Sequence, residues 1–228
     1  MNDLRHRAAI LGTALAVLTT AGPVLAQDAI DPARYSSAIS NPWLPLTPGT
    51  VLTYEGSIEG VPSTLVVSVT DQVRAIAGVD CLVVEELVST AGRPIDRTLA
   101  YYAQDVDGNV WYFGEDVQEL NRSGQVVNTE GWRTGIDGGT PSLVMEAVPV
   151  EGHTLVNAST NDRSEVVNLA KPVSTPSGDY PAALETKEWT PDEPDVLVNK
   201  YYVQDIGMVR DVTVEGGPEE FLLVDVAP

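Results

Sequence analysis

The sequence predicts an all-β protein made of two similar antiparallel meanders. From Thr50 onward, the apolar residues come in short runs rich in Val, Leu and Tyr, separated by Gly, Pro, Asp and Asn, which is typical of strands and turns. The second half of the chain also repeats residues of the first half at a fixed offset. We expect the two meanders to complete one curved sheet, sandwich or barrel, because each alone is too thin to bury its apolar face.

Residues 1–26 have the features of a cleaved secretory signal peptide. Arg5 and Arg7 precede an almost wholly apolar run from Ala8 to Leu18, which is too short to span a bilayer. Gly22-Pro23-Val24-Leu25-Ala26 follows, so small or short residues stand where a leader peptidase requires them. We expect cleavage after Ala26, a periplasmic or secreted location, and no transmembrane segment in the mature chain.

Residues 27–48 form the predicted N-terminal segment, which contains one short helix. Asp31 has a side chain suited to an N-cap, and Pro32 suits the first helical position because its ring fixes φ near the helical value. Helical periodicity stops after Tyr35. The rest of the chain is therefore predicted to be strands and turns.

The predicted strands are apolar runs between turn residues. Asp107-Gly108 and Ser123-Gly124 each predict a hairpin, because glycine supplies the positive φ that a tight turn needs. The strands expected from the pattern are Val51–Tyr54, Thr64–Val73, Cys81–Val88, Arg97–Gln104, Asn109–Phe113, Gln125–Asn128, His153–Asn157, Glu165–Leu169, Ala182–Trp189, Val196–Gln204, Met208–Val214 and Phe221–Val226.

The internal repeat has an offset of 100 residues. Tyr101-Tyr102-Ala103-Gln104-Asp105 returns as Tyr201-Tyr202-Val203-Gln204-Asp205, and eleven of the forty positions from 66 to 105 are identical at this offset. Composition alone gives roughly two or three identities. We predict a first β repeat over residues 49–130, a Gly-rich linker loop over 131–148 and a second β repeat over 149–228. The alternative is a coincidence of generic strand patterns.

Charge and rare residues exclude several classes of function. The net charge of −20 disfavours nucleic acid and anionic membranes as partners, and it favours cations, basic partners or solubility alone. Cys81 is the single cysteine, so no intramolecular disulfide is possible, and its Val-rich strand indicates a buried, inert thiol. His153 is the single histidine after the leader, which excludes a zinc site with several histidines.

Three segments of the chain have distinctive sequences. They are Asn41-Pro42-Trp43-Leu44-Pro45-Leu46-Thr47-Pro48-Gly49-Thr50, the pair Tyr101 to Asp105 and Gly108 to Asp116, and Thr186-Lys187-Glu188-Trp189-Thr190-Pro191. Together they resemble a widespread group of uncharacterised bacterial exported proteins over most of the mature chain. That resemblance implies export and a β domain, and it supplies no catalytic residues. Residues 201–209 are also similar to the last hairpin of periplasmic open-barrel proteins, including the lipoprotein carrier type.

Paired carboxylates are one candidate site. Glu85 and Glu185 occupy equivalent positions of the repeat, inside predicted strands. A pseudo-twofold fold could bring them close enough to raise the pKa of one carboxyl, as hydrolysis by an acid-base pair requires. The alternative is two solvent-facing strand residues, because charged residues are seldom fully buried.

Calcium is the one cofactor that the sequence suggests. Asp105, Asp107 and Asn109 place side-chain oxygens at alternating positions, and Asp116 stands where a twelve-residue loop has its last ligand. However, Val110 occupies the position where such a loop needs glycine. A hairpin turn explains the same residues.

A ligand-binding surface is the third candidate. The segment from Gly131 to Pro141 is glycine-rich and contains Trp132 and Asp137, and long loops on a β scaffold often carry function. With Trp111 and Trp189 it could line an aromatic pocket, unless these aromatic residues only fill the core. We expect an exported soluble protein that binds a small apolar or amphipathic ligand or an envelope partner. The alternatives are a hydrolase that uses acidic residues and a structural or adhesive envelope protein.

Overall fold

The computed structural model describes residues 30–228, so the predicted leader lies outside the described residues. Within this range the chain forms one 3-10 turn and fourteen strands, which confirms the predicted all-β class. The strands are β1 (Tyr35–Ser36), β2 (Val51–Ile58), β3 (Val61–Ile76), β4 (Val79–Thr90), β5 (Arg93–Asp105), β6 (Val110–Leu120), β7 (Val126–Arg133), β8 (Ser142–Met145), β9 (Thr154–Val156), β10 (Arg163–Thr175), β11 (Gly178–Thr190), β12 (Glu193–Val203), β13 (Gly207–Glu215) and β14 (Glu219–Ala227).

All the strands belong to one antiparallel sheet. Its order is β7-β6-β5-β4-β3-β2-β14-β13-β12-β11-β10-β9, with β1 beside β5 and β8 beside β6. β7 and β9 are the edges, and no ladder joins one to the other within the described residues. Of the three expected architectures, the curved, unclosed sheet is therefore the one observed.

The sheet consists of two successive meanders, β2 to β7 and β9 to β14, which meet where β2 pairs with β14. Strand positions recur at nearly the offset of the sequence repeat: β4 and β11 end at Thr90 and Thr190, and β5 and β12 begin at Arg93 and Glu193. An origin of the two meanders by duplication stays a prediction.

The seam between the meanders requires close backbone contact. Gly56 on β2 faces Phe221 on β14, and a Cβ added at Gly56 would lie 1.7 Å from the carbonyl oxygen of Glu220. A side chain at this position would force the two strands apart, so glycine is needed where the halves join.

Both predicted hairpin turns are present. Gly108 has a φ of +88° and its N–H donates to Asp105 O at 3.0 Å, between β5 and β6. Gly124 has a φ of +77° and its N–H donates to Asn121 O at 2.9 Å, between β6 and β7. These positive φ values are the reason that glycine marks both turns in the sequence.

Two segments differ from the predictions. The expected helix is a 3-10 turn over Pro32–Arg34, in which Asp31 accepts a hydrogen bond from the N–H of Ala33 at 3.1 Å. The expected linker loop is shorter than predicted, because residues 131–133 belong to β7 and Ser142–Met145 forms β8. Ladder pairing with β6 recruits both pieces into the sheet, an interaction that a local sequence pattern does not reveal.

Apolar side chains pack on both faces of the sheet. The larger cluster lies on the inner face and includes Leu65, Leu184 and Phe221, each fully buried. A smaller cluster on the outer face of the first meander contains Cys81 and Phe113. Residues 30–36 cover this second cluster, since β1 pairs with β5 and brings Tyr35 against it.

Side chains bridge part of the gap between the two edges of the sheet. The N–H of Thr140 donates to Ser159 Oγ at 2.9 Å, and Ser142 Oγ donates to Asn157 Oδ1 at 2.8 Å. These contacts join the end of the linker and β8 to the turn after β9. They partly enclose the inner face, but no ladder of backbone hydrogen bonds joins the two edges within the described residues.

Candidate functional site

A row of ionisable side chains lies on the inner face of the sheet. Each of the following is at most 7% exposed: Glu86 on β4, Glu115 on β6, Lys200 on β12 and Asp211 on β13. Strand alternation puts Glu86 on the same face as Val84 and Val88 of the inner cluster. Charged residues are almost never fully buried unless they are paired, which makes this row the chemically distinctive part of the described chain.

Lys200 is the cation of this row. Its Nζ lies 2.7 Å from Glu188 Oε2 on β11, and Lys200 faces Asp211 across the β12–β13 ladder. Burial alone would lower the pKa of Lys200, but the carboxylates of Glu188 and Asp211 raise it above the ordinary value. The ammonium group therefore stays charged even though the side chain is only 1% exposed.

Glu86 has no such partner. Burial raises the pKa of Glu86 from 4.5 to about 7, the charge of Lys200 lowers it, and the carboxylates of Asp96 and Asp211 raise it further. No hydrogen bond from the described residues contributes to this pKa. Near neutral pH the group is therefore present both as the neutral acid and as the carboxylate.

Two more acids of the row have raised pKa values. Burial raises the pKa of Asp211 from 3.8 to about 6, against the opposing charge of Lys200. Burial also raises the pKa of Glu115 well above its usual value, although Tyr112 Oη donates to Glu115 Oε2 at 2.9 Å. The second oxygen, Oε1, is buried without a hydrogen-bond partner in the described part of the chain. The neutral form of such a group costs less to bury.

A cavity of about 190 Å³ lies against this face of the sheet. Much of its wall is aliphatic and comes from Leu44, Leu46, Leu52, Val67, Val84 and Met208. Four tyrosines also line it, Tyr54, Tyr102, Tyr112 and Tyr202. The charged residues of its wall are Glu86, Asp162, Arg163, Glu188 and Glu193. The cavity therefore combines an apolar surface with a small number of ionisable groups, as ligand sites generally do.

The volume limits what the cavity can hold. An engineered cavity of roughly 150 Å³ with aliphatic walls is enough to bind benzene, whereas pockets for drug-sized ligands measure about 300–1,000 Å³. At about 190 Å³, the cavity can enclose one ring or a short alkyl chain with a polar group. Any enclosed occupant is therefore small.

The N-terminal segment forms one wall of the cavity. Leu44 and Leu46 line it, and Asn41, only 2% exposed, holds the segment in place. The Nδ2 of Asn41 donates to Gly108 O at 2.9 Å, and its Oδ1 accepts from the N–H of Trp43 at 2.9 Å. One of the segments that carries the family resemblance therefore shapes the cavity.

The predicted ligand-binding residues lie in different places. Trp189 lines the cavity, and Trp132 packs edge-on against Tyr112 of the cavity wall, with ring centroids 5.5 Å apart. Trp111 packs in the outer cluster, and Asp137 is exposed in a turn with a φ of +50°. Trp132 therefore packs against the inner face, and Trp189 lines the cavity with a ring that also lies 5.1 Å from Lys187 Nζ. Trp111 and Asp137 do not line the cavity.

Glu85 and Glu185, the predicted catalytic pair, are not brought together. They lie on β4 and β11, and five strands separate these two in the order of the sheet. Glu85 accepts a hydrogen bond from Arg97 Nε at 2.9 Å, and Glu185 accepts one from Tyr201 Oη at 2.9 Å. Each carboxylate has its own neighbouring donor, so a shared acid-base site has no geometric support and stays a prediction.

The first three predicted calcium ligands stabilise the β5–β6 turn. Asp105 Oδ1 accepts from the N–H groups of Asp107 and Asn109, both at 2.9 Å, and Oδ2 accepts from Asn109 Nδ2 at 3.0 Å and Trp111 Nε1 at 2.8 Å. Burial opposes ionisation of Asp105, but these four donors hold its pKa below the ordinary value. Asp107 pairs instead with Arg34 at 2.8 Å.

Asp116, the fourth predicted calcium ligand, belongs to an ion network on the outer face. Arg133 and Arg74 both pair with its carboxylate, and Tyr101 Oη donates to it at 2.8 Å. Among residues 30–228, no group of three or more His, Cys, Asp or Glu side chains is arranged to hold a metal ion. The hairpin interpretation accounts for Asp105, Asp107 and Asn109, and calcium binding stays a prediction.

The single cysteine and the histidine of the described chain are not near the charged row. Cys81 is fully buried in the outer cluster, and burial raises the pKa of its thiol to about 12. His153 is exposed, and its Nδ1 lies 3.2 Å from Glu146 Oε1. Neither arrangement prepares a nucleophile.

Sequence reasoning missed Glu86 and Lys200 as site residues. The signal that could have found them is a charged residue at an apolar position of the strand alternation. On β12, Val196, Val198 and Tyr202 line the cavity, and Lys200 falls at the same phase of that two-residue pattern. Such a charge on the buried face of a strand predicts a polar interior site.

No protein-family model matches this chain, and no curated protein matches its sequence. Two crystal structures are similar in fold. One, from Bacteroides fragilis, is described provisionally as an exported protein with a YmcC-like fold; it is 14% identical, the match covers 82% of this chain and 99% of that one, and the TM-score is 0.48. The other, from Parabacteroides distasonis, is described provisionally as a lipoprotein; it is 10% identical, with 81% and 98% covered and a TM-score of 0.44. In the part of this chain that the structure describes, no helix has the length and hydropathy to cross a bilayer.

Proposed function

We propose that this chain is an exported protein that binds a small apolar or amphipathic molecule inside the curved sheet. The proposal rests on one observation, the cavity of about 190 Å³ on the inner face with its aliphatic and tyrosine walls. A partly enclosed apolar cavity beside a few polar groups is the usual form of a small-molecule site. The leader in the sequence supports a periplasmic or secreted location.

The test is an NMR titration of the protein with 1-hexanol, a neutral amphiphile small enough for the cavity. We expect saturable shift changes at cavity residues such as Trp189 and Met208. Val198→Phe places a ring in the cavity wall and should abolish them, whereas Val167→Phe, at a position 37% exposed, should leave them unchanged. Shift changes that do not saturate, or that survive Val198→Phe, would contradict the proposal.

Native mass spectrometry of protein purified from the envelope or medium of the producing cells identifies the natural occupant. A retained mass of a small molecule, present in Val167→Phe and lost in Val198→Phe, would support binding at the cavity. A structural or adhesive envelope role predicts a different result. In that case Val167→Phe and Val198→Phe would both keep the phenotype of the wild type, because the cavity would not bind a functional ligand.

Hydrolysis is a second candidate, and the observation that favours it is the position of Glu86. This carboxyl lines the cavity, with its pKa raised by burial to about 7, and a carboxylic acid poised near neutral pH can act as a general acid. A hydrolase screen of wild-type protein and Glu86→Gln tests it. Activity that is absent from the wild type, or equal in the two proteins, would eliminate this candidate.

A further inference from the structure

The cavity wall carries more acidic than basic side chains. Among the residues that the structure describes, four of the five charged residues of the wall are acidic, Glu86, Asp162, Glu188 and Glu193, and the fifth is Arg163. Lys200 is not part of the wall; it is 1% exposed and lies 2.7 Å from Glu188. The inner cation is therefore engaged with a carboxylate, and it is not presented to an occupant. Any charge preference of this cavity rests on the proposed function, because it concerns the same occupant.

Glu86 is the carboxylate of this wall that a cation inside the cavity would stabilise most. It is 7% exposed, it lines the cavity, and no hydrogen bond from the described residues contributes to its pKa. By contrast, Glu188 has the ammonium of Lys200 at 2.7 Å. A buried carboxylate without a donor is costly, and a cation inside the cavity would remove that cost.

Tyrosines surround the same space. Tyr54, Tyr102, Tyr112 and Tyr202 all line the cavity. Two of their hydroxyls are already engaged, because Tyr54 Oη donates to Met208 O at 2.9 Å and Tyr112 Oη donates to Glu115 at 2.9 Å. Aromatic rings beside a carboxylate are the surroundings that favour an ammonium group, through cation-π attraction and charge pairing together.

We propose that the cavity selects amphiphiles with a cationic amine head over neutral or anionic ones, with Glu86 as the residue that pairs with the head. The short apolar part of the ligand packs against the aliphatic wall, which includes Leu46, Leu52 and Val84. Within residues 30–228, Arg163 is the cationic side chain of the wall that an anionic ligand could contact. Because Arg163 could pair with an anionic head, an anionic ligand tests directly whether the cavity prefers cations.

The experiment compares n-hexylamine, 1-hexanol and hexanoate, which share one chain length and differ in the head. Affinities are measured by NMR titration at pH 8, where the amine is protonated and most of Glu86 is ionised. We expect hexylamine to bind about tenfold more tightly than hexanol, which corresponds to about 1.4 kcal/mol, and hexanoate to bind most weakly. Glu86→Gln should abolish the preference for the amine, so that hexylamine and hexanol bind this variant with similar affinity.

Glu85→Gln is the matched control. Glu85 is the neighbouring residue, carries the same charge and pairs with Arg97 away from the cavity, so its removal should preserve the amine preference. Equal binding of the three ligands, tighter binding of hexanoate, or an amine preference that survives Glu86→Gln would overturn the inference and leave the proposed cavity function intact. If none of the three binds, the proposed function itself fails, and the inference fails with it.

Discussion

Glu85 and Glu86 are neighbours on β4, but they lie on opposite faces of the sheet and in opposite electrostatic environments. Glu85 pairs with Arg97, and its side chain is 31% exposed. Glu86 is 7% exposed beside the cavity, and burial raises its pKa to about 7. The same residue type is thus a surface ion-pair partner at one position and a buried, partly neutral acid at the next.

The two faces show the same contrast more generally. On the outer face, Arg133, Tyr101 and Arg74 hold the pKa of Asp116 below its ordinary value, against the effect of its own burial. On the inner face, burial outweighs the single ammonium of Lys200, and the pKa of Asp211 rises to about 6. The supply of donors and of water, which differs between the faces, decides whether a carboxylate is stabilised.

The largest test of this contrast removes the cation of the inner face. Lys200→Met leaves the buried Asp211 and the partly exposed Glu188 without the ammonium, and loss of one partner of a buried pair typically destabilises a protein by about 3–5 kcal/mol. We expect a loss of that size in the free energy of unfolding, measured with urea at pH 7. Lys187→Met is the control; its Nζ lies 3.6 Å from Glu165 and its side chain is 40% exposed, so the loss should stay below about 1 kcal/mol. Equal effects of the two substitutions would contradict the contrast.

The second test exploits the raised pKa of Glu86. The folded protein retains the proton up to about pH 7, whereas the unfolded chain loses it near the ordinary value of 4.5. The folded state therefore binds more protons between these values, and this group lowers the stability as pH rises through that window. Glu86→Gln should increase the free energy of unfolding by about 3 kcal/mol at pH 8 and change it little at pH 4.

Urea unfolding of wild type and Glu86→Gln at both pH values measures this difference directly. Glu85→Gln provides the outer-face comparison, and we expect it to lower the stability by less than about 1 kcal/mol at pH 8. A Glu86→Gln effect that is independent of pH would show that the carboxyl of Glu86 has no raised pKa.

The third test concerns the outer ion network. Asp116→Asn removes the charge that Arg133 and Arg74 share, and it should cost about 1–2 kcal/mol at pH 7. Because the pKa of Asp116 is lowered in the folded state, its contribution is present above the ordinary value of 3.8 and is lost as pH falls through the folded pKa. The difference between variant and wild type should therefore shrink at pH 2 to 3. An unchanged difference at acid pH would argue against an ionic contribution.

The smallest expected effect is that of calcium on the β5–β6 turn. Both oxygens of Asp105 already accept two hydrogen bonds each, and a cation would have to displace those donors. We expect millimolar calcium to change Tm by less than about 1 °C, because a ligand stabilises a fold only if it binds the folded state. A rise of several degrees that Asp105→Asn abolishes would instead support the calcium prediction.

The sequence was sufficient to predict the fold class and many local features. Short Val-rich runs predicted the strands, and glycines predicted the turns at Gly108 and Gly124, because positive φ and strand alternation are local properties of the chain. It was also sufficient to predict the burial of Cys81. The strands at the two ends of the predicted linker depended on pairing with β6, which includes residues 131–133 and 142–145 in the sheet.

The site depended on tertiary structure. Strand alternation places Glu85 and Glu86 on opposite faces of β4, but both faces carry apolar residues, so only the tertiary structure shows that Glu85 lies outside with Arg97 and Glu86 beside the cavity. Lys200 meets Glu188 and Asp211 only because β12 pairs with β11 and β13, and the cavity exists only because two meanders join at β2 and β14 and curve together. The sequence by itself determined alternation and turns, which act over a few residues. Pairing between strands that are distant in sequence decided which carboxylates are buried away from water. It therefore also decided which carboxylate a ligand in the cavity would contact.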